Sequence, residues 1–159
     1  MISGAHFSGC RTWRYSLWRR WSEGTTLAVI GLNPSTADET QDDPTIRRCI
    51  RFAKDWGHGR FVMLNLFGVR SPYPQIIKDS PDPIGPDNDD TILAACSEAS
   101  QVLFAWGAHD AARDRGRLVA GMLGDIGIKP ICLGKTKAGF PRHPLYIKAD
   151  TRPVLVNAV

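Results

Sequence analysis

The stretch Leu27-Ala28-Val29-Ile30-Gly31-Leu32-Asn33-Pro34 limits what this chain can fold into more than any other. An apolar run without polar interruption reads as a strand buried on both faces, the kind found inside a parallel sheet covered by helices. Gly31, Asn33 and Pro34 end it, because proline gives the ladder no N–H and glycine and asparagine favour turns. A sharp turn at the carboxyl end of such a strand is where open α/β sheets place ligands. Ser35, Thr36 and Asp38 add short polar side chains there. Taken alone, these groups also suit a connection that only caps the next helix.

Comparable runs recur. Phe61 to Phe67 is a second strand carrying Asn65 as its polar residue, Val102 to Trp106 a third that stops at Gly107, and Lys129 to Leu133 a fourth. Between the first two, Asp43 and Pro44 make a helix start as N-cap and first helical residue, with Ile46, Cys49, Ile50 and Ala53 on one face. A second helix runs from Asp87 or Asn88 to about Ser97, with Ile92, Leu93 and Cys96 inward. A third runs from Ala108 to Leu123, with Leu118, Val119 and Met122 inward. Cys10 to Trp21 reads as a strand or hairpin arm, and Ser71 to Asp90 as a long loop holding one helical turn. Tyr146 to Val159 is weakly patterned. Strands alternating with helices predict an α/β fold, a three-layer α/β/α sandwich around a mainly parallel four-stranded sheet, in a single domain over residues 1–159.

Composition narrows the function classes. Hydrophobic residues make up 43% and charged residues 23%, ordinary for a globular domain. No apolar run reaches the roughly 20 residues of a membrane helix, and Met1-Ile2-Ser3-Gly4 does not begin a signal peptide, so a cytoplasmic protein is expected. Cys10, Cys49, Cys96 and Cys132 lie far apart, which suggests neither a zinc site nor a disulfide framework. The net charge of +4 permits an anionic partner. Arg11, Arg14, Arg19 and Arg20 interleave with Trp13, Tyr15, Trp18 and Trp21, a mixture that suits a nucleic-acid backbone and unstacked bases. The same pattern suits an outer element that packs its tryptophans inward and leaves its arginines in water.

In a parallel sheet the strand carboxyl ends share one edge, which would gather Asn33-Pro34, Asn65, Trp106-Gly107 with His109, and the loop bearing His143. At these positions the chain resembles the uracil-DNA glycosylase superfamily. Gly31-Leu32-Asn33-Pro34 resembles its Gly-x-Asp/Asn-Pro turn, and Val62 to Arg70 the strand whose asparagine reads a flipped base. Val102 to His109 is similar to its strand ending in Trp-Gly, and His143-Pro144-Leu145 to its histidine and leucine loop. The chain also resembles, almost letter for letter, an uncharacterised bacterial and phage family that shares Leu-Asn-Pro-Ser-Thr-Ala-Asp, Asp-Asp-Pro-Thr-Ile-Arg-Arg and His-Pro-Leu-Tyr.

The glycosylase resemblance implies a glycosylase-like fold and an N-glycosidase acting on a damaged or modified base, most simply in DNA, with no metal or other cofactor. Asn33 would orient a water, and His143 would stabilise the leaving base. Asp38 or Asp43 would supply the carboxylate that an amide cannot replace as a base, with capping as the competing role for Asp43. Asn65 has a donor and an acceptor on one plane to match a pyrimidine edge, beside Phe67, Gly31, Leu32 and Pro34. Ser35, Thr36, Gly107, His109 and Leu145 would contact the nucleic acid. Two other classes stay open. A hydrolase for a free nucleoside or nucleotide fits the missing second proline after His143-Pro144, and a binding module without catalysis fits Asn33 in place of a carboxylate.

Overall fold

The computed structural model describes residues 1–157. The chain runs β1 (Ile2–Phe7), β2 (Arg14–Arg20), β3 (Thr26–Gly31), α1 (Pro44–Asp55), β4 (Arg60–Asn65), α2 (Ile76–Asp79), α3 (Asn88–Glu98), β5 (Gln101–Phe104), α4 (Ala112–Asp125), β6 (Ile131–Cys132) and β7 (Val154–Leu155). A 3-10 turn, Pro144–Tyr146, precedes the last strand. The uninterrupted apolar run is β3, and its residues alternate between two cores as strand geometry requires. Ala28 and Ile30 pack with Ile92 and Cys96 of α3 and Val119 and Leu123 of α4. Leu27 and Val29 pack with Ile46, Cys49 and Phe52 of α1. Helices therefore cover both faces of the strand, and every residue after Thr26 is apolar and buried.

The sheet corrects the expectation of a four-stranded, mainly parallel, glycosylase-like core. Seven strands form one mixed sheet among the described residues, in the order β1-β2-β4-β3-β5-β6-β7. The four expected strands are its parallel centre. β1 and β2 are added antiparallel beside β4, and β7 antiparallel beside β6. The general α/β class stands; the strand count and the parallel character do not. Of the added strands, β2 lies within the Cys10 to Trp21 stretch expected as a strand or hairpin arm, though not as a member of the central sheet. β1 and β7 escaped a reading based on apolar runs, for physical reasons. β1 is half-exposed, β7 is two exposed residues, and β2 turns Arg14 and Arg19 inward.

The helices follow their signals unevenly. α1 starts at Pro44, Asp43 Oδ1 accepts from the Ile46 N–H at 2.9 Å, and Ile46, Cys49, Ile50 and Ala53 are all buried. α3 buries Ile92 and Cys96, with Leu93 half-buried. α4 begins at Ala112 and is rotated from the expected face. It buries Ala112, Arg115, Gly116, Val119 and Leu123 and leaves Leu118 55% exposed. The reason is Trp106, whose ring occupies the space a side chain at position 116 would need: a Cβ there would lie 2.9 Å from Cζ2. Among the described residues, no helix is long and apolar enough to cross a membrane.

The segment between β3 and α1 has no regular structure, and arginines from elsewhere hold its backbone. Arg19, 1% exposed, donates to the Asp38 carbonyl at 2.7 Å and the Gln41 carbonyl at 3.2 Å, and pairs with Asp42 at 2.9 Å. Arg14 donates to the Ala37 carbonyl at 3.1 Å. Arg70 donates to the Ser35 and Thr36 carbonyls, both at 2.9 Å. Arg11 closes the outside with two bonds to Glu39 at 2.7 and 2.8 Å. Removing Arg19 leaves carbonyls and a carboxylate without their donor, so Arg19→Met is expected to cost about 3 kcal/mol in urea unfolding. A loss under about 1 kcal/mol would mean that the segment holds itself.

Candidate functional site

A cleft of about 440 Å³ opens where β3, β4 and β5 end. Its floor begins with Gly31 and Asn65, which are register partners in the parallel pair. A Cβ on Gly31 would sit 3.0 Å from Asn65 Nδ2 and 2.6 Å from Met63 Cε, so the bare glycine makes room for the amide. Asn65 is 2% exposed, and its Oδ1 accepts from Arg14 Nη2 at 3.3 Å. The end of β4 is itself fixed from behind. Asn88 Nδ2 donates to the Asn65 and Leu66 carbonyls at 3.0 and 3.1 Å, and Arg115 Nε to the Leu66 carbonyl at 2.9 Å.

Asn33 follows on the wall. Its Nδ2 is spent on the carbonyls of Pro34 at 3.2 Å and Ser71 at 3.1 Å, which ties the β3 turn to the chain after β4. With the amide nitrogen committed, the side-chain oxygen is the atom left to accept from a ligand or water. Asp43 also lines the cleft. One carboxylate oxygen caps α1. The residue that starts the helix is thus also a site carboxylate.

The opposite wall comes from β5 and the loop after β6. Gly107 adopts φ +77°, and a Cβ there would stand 3.4 Å from the Cβ of His143, so the positive φ and the close approach both call for glycine. Its N–H donates to the Pro141 carbonyl at 2.9 Å, which draws the two segments together. His143 Nδ1 accepts from the Leu145 N–H at 3.2 Å, and that bond assigns the ring proton of the neutral imidazole to Nε2. Burial holds the pKa of His143 below its ordinary value, and the Asp43 carboxylate opposes that shift. Trp106, 2% exposed, backs this wall. Its Nε1 has no hydrogen-bond partner.

Of the site candidates singled out from sequence, Gly31, Leu32, Asn33, Ser35, Asp43, Asn65, Trp106, Gly107, His109 and His143 line the cleft. The others lie outside its lining. Asp38 Oδ1 accepts from the N–H groups of Thr40 and Gln41 at 2.9 and 2.8 Å, and these bonds hold its pKa below the usual carboxylate range. Pro34 is buried under the turn, Phe67 belongs to the core beside α3 and α4, and Thr36 and Leu145 are exposed. His109 Nδ1 accepts from the Ala111 N–H at 3.1 Å.

Sequence reasoning missed Arg14, Arg142 and Tyr146, which also line the cleft. Arg14 was marked only as one of the arginines of the basic and aromatic stretch, and nothing local places it in the cleft, since pairing of β2 with β4 is what turns it inward. Arg142 and Tyr146 flank the His143 motif, and that adjacency was a usable signal. The basic and aromatic stretch is consumed inside the chain. Arg11 meets Glu39, Arg19 meets Asp42, and Arg20 meets Glu23 at 2.6 Å. Trp13 and Trp21 donate to the Asp82 and His58 carbonyls.

The depressed pKa of His143 has a sign that can be checked. The unfolded chain binds its proton more readily, so this residue's contribution to stability is present above its ordinary pKa and is lost as pH falls through the folded value. An NMR titration of the His143 ring is expected to give a midpoint below about 6.5. Asp43→Asn should lower that midpoint further, because it removes the opposing charge. A rise in the variant would contradict the proximity of the two groups.

No curated protein and no solved structure matches the chain. Residues 14–145 match the family described as "Protein of unknown function (DUF1643)", which spans every element from β2 to the His143 loop. The chain belongs to that family.

Proposed function

We propose that the cleft is the active site of an N-glycosidase that hydrolyses the bond between a nucleobase and its sugar. The observation that carries this reading is the meeting of a carboxylate, a neutral imidazole and two carboxamides, Asp43, His143, Asn33 and Asn65, in one cleft of about 440 Å³. That volume falls in the roughly 300–1,000 Å³ range of small-molecule sites. The set suits an oxocarbenium-like departure, which needs a held base, a stabilised leaving group and a positioned water. Asn65 would meet the base edge from the floor. The Asn33 oxygen and the Asp43 carboxylate would hold the water. The bond from the sugar carbon to the ring nitrogen breaks with its electron pair going to the base, and the water oxygen bonds to that carbon. The water proton passes to Asp43 and then to the released base or solvent. His143 donates its Nε2–H to an oxygen of the departing base.

The reading takes DNA as the first substrate and the cytoplasm as its setting. The engagement of Arg11, Arg14, Arg19 and Arg20 within the chain favours a second one, a free nucleoside or nucleotide, because the arginines of the sequence's most basic stretch already have partners of their own.

Incubation with oligonucleotides carrying modified bases, followed by alkaline cleavage at abasic sites, is expected to show incision. His143→Ala and Asp43→Asn should each reduce it by about 10²- to 10⁴-fold. Asn33→Ala should reduce it as well, while Thr36→Ala, outside the cleft lining, should not. Base release from nucleosides alone would select the second substrate class. No release from either, across a broad panel of bases, would sink the glycosidase reading.

A further inference from the structure

Arg14 is the anomaly of the cleft. It is 2% exposed, yet its hydrogen-bond partners are neutral: the Ala37 carbonyl at 3.1 Å and Asn65 Oδ1 at 3.3 Å. Its buried Nε has no partner. The two other buried arginines are treated differently. Arg19 is paired with Asp42 and Arg115 with Asp89. A buried charge is normally compensated in this way, because leaving it alone is expensive. The charged groups that face Arg14 are Asp43 and Asp38, which favour its charge, and Arg70 and Arg19, which oppose it. Neither carboxylate bonds to it: Asp43 is bonded to the α1 terminus and Asp38 to its own turn. Burial pulls the pKa of Arg14 down to about 10, and it remains a cation at neutral pH.

Arg14 also lines the cleft, so a ligand can supply the missing charge. Beside it Asn65 has lent its oxygen to the guanidinium, which leaves the floor rich in donors. His143 on the opposite wall is neutral and cannot play this part. Arg142 is a cation of the same cleft, but it is exposed and therefore hydrated.

We propose that Arg14 is the group that receives negative charge in this cleft, and that the site selects nucleobases that bind, or depart, as ring anions. This rests on the nucleobase reading and carries it further. A base that leaves with the electron pair of the broken bond is an anion spread over its ring nitrogens and oxygens. A guanidinium held in a dry floor binds such a group far better than it binds a neutral ring, through charge-assisted hydrogen bonds.

Calorimetric titration with two pairs of free bases tests this without turnover: uracil with 5-fluorouracil, and hypoxanthine with xanthine. Each pair is measured at a pH between its members' ring ionisations, where one is mainly anionic and the other mainly neutral. The anionic member is expected to bind at least about tenfold more tightly in one pair or both. Arg14→Met should erase the preference, Arg14→Lys should keep part of it, and Arg51→Met, at an arginine on α1 outside the cleft lining that pairs with Asp55, should leave it intact. Asn65→Asp places a carboxylate beside the guanidinium, so it should raise the thermal midpoint while abolishing the preference. That variant keeps the proposal testable even if Arg14→Met does not fold. Equal affinity within both pairs, absence of binding by every base, loss of the preference in Arg51→Met, or a lower midpoint for Asn65→Asp would overturn it. Failure of the glycosidase reading shows instead as no base release from oligonucleotides and nucleosides, whatever these titrations give.

Discussion

Arginine side chains gripping backbone carbonyls hold the site of this protein in place. The segment from Ser35 to Asp42 makes no strand or helix, and an irregular segment of that length has few internal partners for its own carbonyls. Arg14, Arg19 and Arg70 supply donors from β2 and from the chain after β4. Each guanidinium presents several N–H groups in a fixed fork, so one side chain can hold two carbonyls at once. Asn33 stands at one end of this segment and Asp43 at the other. Their meeting in a single cleft depends on those grips.

The two cores explain why the site can be rigid. β3 sits between α1 on one side and α3 with α4 on the other, and its carboxyl end therefore cannot move without disturbing both. Asp43 couples α1 to the cleft directly, as cap and as lining residue. Gly31 and Gly107 give the close approaches that bring Asn65 and His143 to opposite walls. Behind the floor, Asn88 and Arg115 hold the carbonyls at the end of β4, so the amide of Asn65 is set by groups that never meet a ligand.

Electrostatically the cleft is divided. Burial keeps the imidazole of His143 neutral, its proton assigned to Nε2, while Arg14 keeps its charge at the floor without a carboxylate bonded to it. Asp43 acts on both, raising the proton affinity of each. A neutral donor, a bare cation and a carboxylate around one space can handle charge separation, in which one fragment leaves negative and another becomes positive.

What was legible in the sequence was local. The apolar run of β3, its Gly-x-Asn-Pro stop and the Asp43-Pro44 helix start each declare themselves within a few residues, because strand burial, turn chemistry and capping are short-range. The general α/β class followed from strands alternating with helices. Only the tertiary structure decided the rest. β1 and β7 are edge strands without an apolar run of their own, and β2, which reads as a strand, joins the central sheet only through its long-range pairing with β4. The inward turn of Arg14 and Arg19 runs against the preference of charge for water and is tolerated only where folding delivers carbonyls and a carboxylate to meet it. Asp43 was legible as a helix cap, but only the chain's path made it also a wall of the cleft and left Asp38 as a turn anchor outside it. The depth of the floor, and the cation beneath Asn65, arise from contacts between residues 51 positions apart, which no local pattern encodes.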